Sequence, residues 1–143
     1  MFEATLKSAI EYGRQNKTEE WVHEYLCGEG DNKGFSDGLK LEPREYDAPK
    51  LMPLDLFTRT YGPEPDMLYS IREDDKEQIK WFWLNIGGIM QKYRAGNWDM
   101  PPLIIQDDGG IYELNDGNHR LEALKILGEK EYWVIFWSTK SSP

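Results

Sequence analysis

The chain has 143 residues and 13% aromatic content, with six Trp, which is enough for one domain with a substantial core. A formal net charge of −9 argues against non-specific binding to nucleic acid, which depends on neutralising phosphates with Lys and Arg. No run nears the roughly eighteen apolar residues of a membrane span, residues 1–7 lack the layout of a secretory signal, and a single Cys cannot form an internal disulfide, so a cytoplasmic location is expected.

Phe2, Leu6, Ala9, Ile10 and Tyr12 recur at helical intervals over residues 2–14. Trp21, Val22, Tyr25 and Leu26 do the same over residues 18–27, with Thr18 as the expected N-cap. Residues 28–49 are rich in Gly, Asp, Asn and Lys and predict a loop with little regular structure. Residues 50–60 supply a first strand that Pro53 pushes toward an edge, and Pro63 and Pro65 then break the chain.

The strongest helix signal covers residues 74–93. Asp74 and Glu77 have capping-box spacing, Ile79, Phe82, Trp83, Ile86, Ile89, Met90 and Tyr93 form the apolar face, and Gly96 closes the helix. Gly87 and Gly88 each cost about 1 kcal/mol relative to Ala. They mark either a weak spot or a close approach of another backbone. Leu103 to Ile105 and Tyr132 to Trp137 are continuous apolar runs, the pattern of strands covered on both faces. Residues 138–143 read as a frayed tail.

Between those runs lies the most informative segment, Ile111 to Gly128: a strand over residues 111–114, a polar turn over 115–119 and a helix over 120–127. Helix starts expose unpaired N–H groups and partial positive charge, so a turn carrying Gly117, Asn118, His119 and Arg120 into a helix is a natural anion site. Arg120 adds a guanidinium suited to phosphate, and in that role it is expected to matter to binding and little to folding. The same residues can also form an ordinary strand-to-helix connection, with Asn118 as N-cap and Arg120 on the surface.

The order Pro101-Pro-Leu-Ile-Ile105, the acidic-glycine turn Asp107 to Gly110, Ile111 to Leu114, Asp116-Gly-Asn-His-Arg120, the helix to Gly128 and then Tyr132-Trp-Val-Ile-Phe136 resembles the ParB/sulfiredoxin-like superfamily. The resemblance covers roughly residues 79–137, with a weaker start at Leu51. At the Asp-Gly-x-x-Arg turn the free-serine-kinase branch is nearest. The resemblance implies an α+β fold, a small mixed sheet with packed helices, here carrying a helical N-terminal extension. Residues 1–49 would be the extension and polar loop, and residues 50–143 the domain, together one compact unit.

The resemblance also implies that the turn binds nucleotide phosphates. Asp116, Gly117, Asn118, His119 and Arg120 are then the binding set, with ATP, ADP or CTP and Mg²⁺ as the expected ligand. The family's phosphate contacts transfer securely only to Arg120 and the turn's backbone. Sulfiredoxins carry a catalytic cysteine in this turn, where Asn118 stands and from which Cys27 is far upstream, so sulfinic-acid reduction is not expected. Partition proteins have two adjacent basic residues where this chain has His119-Arg120. They continue into a helix-turn-helix, for which the roughly fifteen residues after the motif helix are too few, so a DNA-binding or nuclease role is disfavoured.

His119 can donate to a phosphate oxygen and is the catalytic candidate for phosphoryl transfer or nucleotide hydrolysis; the alternative is an exposed turn histidine. Asp116 caps its own turn in the favoured reading, or positions Mg²⁺ with Asn118 in the other. Glu64, Asp66, Asp107 and Asp108 are candidate general bases. His23 with Glu20, Glu24 and Cys27 falls short of a zinc site and reads as a solvated helix face, so no protein-held metal is expected. Walker-type and CxxC motifs are absent. The alternative to a nucleotide-binding domain is a non-catalytic protein-interaction or regulatory module with the aromatic N-terminal helices and the Gly28 to Pro49 loop as its partner surface.

Overall fold

The two continuous apolar runs become neighbouring central strands. In the computed structural model, which describes residues 2–63 and 73–139 with the side chains of 73–75 left aside, β3 (Leu103–Asp108) and β5 (Glu131–Thr139) pair in parallel, Ile104 opposite Ile135 and Ile105 opposite Phe136. Alternate residues serve opposite faces. Leu103, Ile105, Val134 and Phe136 pack with Leu121 and Leu124, whereas Ile104, Ile135 and Trp137 pack with Trp21, Val22 and Leu26. Both faces are covered, which is why these strands read as unbroken apolar runs.

Three further strands complete a five-stranded mixed sheet. β4 (Ile111–Asp116) runs antiparallel to β3 as a hairpin whose turn is capped by Asp107 Oδ1, accepting from the Gly110 amide at 2.8 Å. β1 (Arg44–Tyr46) and β2 (Lys50–Pro53) each pair antiparallel with β5, one beside Trp137 to Thr139 and the other beside Glu131 to Val134. Pro53 therefore sits on a strand with a single partner, the place where a missing N–H is tolerated.

Helices α1 (Leu6–Arg14), α2 (Thr18–Cys27) and α3 (Lys33–Leu39) cover one face of the sheet. Helix α5 (Asn118–Ile126) covers the other, and α4 (Glu73–Arg94) packs on α5 through Phe82, Ile86 and Ala123. Fully burying a side chain such as Leu26 or Ile135 stabilises by about 1.5–3 kcal/mol, so the N-terminal helices are energetically part of the sheet's core. Among the described residues no helix is long and apolar enough to cross a membrane.

Several local expectations are corrected. Residues 28–49 are not a featureless loop: they hold α3 and β1. Asn32 caps α3 by accepting from the Phe35 amide, and the buried Ser36 and Leu39 share one helical face. Tertiary packing there outweighs the glycine cost. Helix α2 begins with Lys17 as N-cap, which leaves Thr18 inside the first turn and buried. The strand expected over residues 50–60 ends at Pro53 in a single 3-10 turn, Leu54–Leu56.

Ser138 and Thr139 are not frayed but extend β5, paired with Glu45 and Arg44. Among the described residues, no atom outside the helix's own backbone lies within 4 Å of a Cβ built at Gly87 or Gly88, so neither marks a close approach of another described segment. Asp74, expected as the N-cap, lies inside α4, which begins at Glu73; its side chain, like Glu64 and Asp66, lies outside what is described.

Candidate functional site

β4 passes into α5 through one residue. Gly117 is the N-cap of α5 at φ +112°, a conformation side-chain-bearing residues rarely adopt. A Cβ there would stand 2.6 Å from Leu103 Cδ2 and 3.1 Å from Arg120 Nη2. Only glycine fits. Pairing of Asp116 with Ile104 carries β4 two residues beyond the expected end at Leu114, and α5 starts at Asn118 rather than Arg120.

Gly117 offers no side chain to cap the helix. The Leu121 amide donates to the Gly117 carbonyl at 2.8 Å, and the preceding amides of Asn118, His119 and Arg120 lie before the first intrahelical bond. This helix start lines a cavity of about 520 Å³, whose other walls include Tyr25, Gly88, Lys92 and Trp98.

Arg120 lines the cavity, yet its guanidinium is committed inward. Nη1 donates to the carbonyls of Pro101 at 2.6 Å and Pro102 at 3.0 Å, and Nη2 donates to Asp116 Oδ2 at 2.8 Å. Its side chain is 8% exposed and that of Asp116 14%. The guanidinium also lies 5.6 Å from the Tyr25 ring centroid. Arg120 is therefore a clamp that ties the Pro101-Pro102 approach of β3 to the end of β4, which argues against the expectation that it matters little to folding.

Asp116 neither caps its own turn nor stands open to a cation: it is the partner of Arg120. Burial pushes its carboxyl above the ordinary range, while Arg120 and a hydrogen bond from Tyr25 pull the other way. Burial likewise raises the Tyr25 phenol to about 12, so it remains a donor at neutral pH. Tyr25 was invisible as a site residue because it lies on α2, far from the turn in sequence, where its apolar spacing marks it only as core.

Asn118 is a tether. Its Oδ1 accepts from the Thr60 amide at 2.7 Å and the Tyr61 amide at 3.2 Å, while the Thr60 hydroxyl donates to the Leu114 carbonyl at 2.7 Å. His119 is one corner of an aromatic triangle, its ring centroid 4.7 Å from Phe82 and 6.0 Å from Tyr61. Burial, then the nearby Arg59 charge, holds its pKa below the ordinary histidine value. Its imidazole is neutral at pH 7 and is not a turn histidine standing free in solvent. Arg59 is itself engaged, at 3.0 Å from Glu122 Oε2.

The residues do not suit the expected Mg²⁺. Its two candidate ligands, Asp116 Oδ2 and Asn118 Oδ1, are already occupied by protein donors. Among the described residues no group of three or more His, Cys, Asp or Glu is placed to hold a metal ion. Asp107 and Asp108 sit at the far end of the β3–β4 hairpin, roughly 15 Å along the strand from Asp116, so neither serves the cavity as a base.

The α2 cluster is also resolved. Glu20, Glu24 and Cys27 are exposed as expected, but His23 is half-buried, its Nδ1 2.7 Å from Ser36 Oγ and its Nε2 without a hydrogen-bond partner among the described residues. Comparison with family models, curated proteins and solved structures finds no match for this chain.

Proposed function

We propose that this is a ParB/sulfiredoxin-like domain that binds a phosphate-bearing ligand, with a nucleotide as the leading class, in the cavity at the start of α5. One observation carries the reading: the N-terminus of α5 has no side-chain cap and borders a cavity of about 520 Å³. Helix N-terminal amides and the macrodipole favour an anion there. A glycine N-cap lets a ligand oxygen approach the backbone where a side chain would stand.

The role assigned to each residue follows from its bonds. The amides of Asn118, His119 and Arg120 bind; the Arg120–Asp116 pair holds the turn in shape and neutralises the carboxylate that would otherwise repel a phosphate; His119, neutral in its aromatic slot, can donate one hydrogen bond. Binding is the activity proposed, and turnover is not part of the proposal.

A thermal-shift series with phosphate, sulfate, ATP, ADP, CTP and GTP, each with and without Mg²⁺, tests it. A ligand that binds only the native state at 100 times its Kd stabilises by about 2.7 kcal/mol, a readily measured shift. No shift with any of these anions at millimolar concentration would end the proposal.

A further inference from the structure

Two cationic side chains line the cavity, Arg120 and Lys92. The first spends its Nη donors on two carbonyls and a carboxylate. Lys92 is different: its ammonium rests 4.3 Å from the centroid of the Trp98 ring. Among the described residues no carboxylate pairs with it. A cation on an aromatic face is held weakly and keeps most of its hydration, so it exchanges readily onto a stronger anionic partner.

The wall that carries it is shaped for such a move. Asn85, Gly88, Ile89 and Lys92 fall at i, i+3, i+4 and i+7 on α4, one helical face, and all line the cavity. Gly88 leaves open space within 4 Å of where its Cβ would be, one turn before Lys92. Lys92, Trp98 and Glu29 also line a neighbouring cavity of about 580 Å³, whose remaining walls include Phe2, Ala4, Thr5 and Gly28. Lys92 therefore stands at the junction of a two-part groove.

We infer that Lys92 is the side chain that neutralises the bound phosphate, and that the ligand is a phosphomonoester whose organic part runs past Trp98 into the second cavity. This rests on the phosphate-binding reading above. The terminal phosphate sits between the α5 amides and the Lys92 ammonium, and Arg120 acts beneath it as a positioning residue.

Titration calorimetry with inorganic phosphate and phenyl phosphate tests the inference on wild type, Lys92→Met and Lys92→Arg. Wild type should bind both, phenyl phosphate more tightly. Lys92→Met should weaken both by about 10- to 100-fold, as for the loss of one charge-assisted hydrogen bond, with the thermal midpoint of the free protein unchanged. Lys92→Arg should restore most of the affinity. Equal binding by wild type and Lys92→Met would overturn the role of Lys92 and leave the phosphate site standing. Phenyl phosphate binding no more tightly than phosphate would overturn the two-part groove. If wild type binds neither probe, the inference and the reading beneath it fall together.

Discussion

Replacing Arg120 with Met keeps most of the apolar stem of the side chain but removes three hydrogen bonds at once. The Asp116 carboxylate, with its side chain 14% exposed, loses its cation. The carbonyls of Pro101 and Pro102, both in buried residues, lose their Nη1 donor. Breaking a buried ion pair from one side costs about 3–5 kcal/mol, because the abandoned charge stays buried. Set against a total stability of about 5–15 kcal/mol, that is a large fraction.

Urea unfolding followed by circular dichroism should therefore show Arg120→Met less stable by about 3–5 kcal/mol. The double variant Asp116→Asn/Arg120→Met removes the stranded charge and should recover a good part of the loss, giving a coupling energy of at least about 1 kcal/mol in the double-mutant cycle. A single variant within about 1 kcal/mol of wild type, or strictly additive losses, would refute the clamp. In that event Arg120 would return to the role of an open ligand arm.

Gly117→Ala should destabilise by about 1–3 kcal/mol, the cost of a side chain forced into a left-handed conformation with its Cβ 2.6 Å from Leu103 Cδ2; an unchanged urea midpoint would show that the turn can relax. His23 and His119 both have pKa values lowered chiefly by burial. The folded state therefore prefers the neutral rings: their contribution is complete above the unfolded value of about 6.5 and is lost as pH falls from there through the lowered folded values. The thermal midpoint of wild type should drop on going from about pH 7 to 5, and the His23→Gln/His119→Gln variant should show a shallower drop; equal slopes would remove both histidines from the acid response.

How much of this could be read from residues alone depends on the range over which each feature is determined. The long helix, the paired apolar strands and the Gly128 stop are set by periodicity and by glycine, both local signals, and each element falls close to where they predict. Residues 28–49 misled for a physical reason. Their glycines and charges mark a loop by composition. What makes α3 and β1 is the Asn32 cap together with tertiary partners: the apolar cluster of Leu39 and Trp21, and the strand pairing of Tyr46 opposite Trp137. Those partners come from other parts of the chain.

The candidate site divides along the same line. That Gly117 must be glycine and that a helix begins beside it are properties of a few consecutive residues, and the turn announces both. What its side chains do is not local. Arg120 carries the same motif whether it faces a ligand or the interior. Its role is decided by Pro101, Pro102 and Asp116, which β3–β4 pairing draws together around its guanidinium. Asn118 could be assigned only once the Thr60 and Tyr61 amides were known to reach it. Lys92 gives no motif at all, since one lysine near the end of an amphipathic helix is ordinary. It becomes a candidate when the fold sets α4 opposite the α5 N-terminus and leaves the ammonium with an aromatic ring instead of a carboxylate.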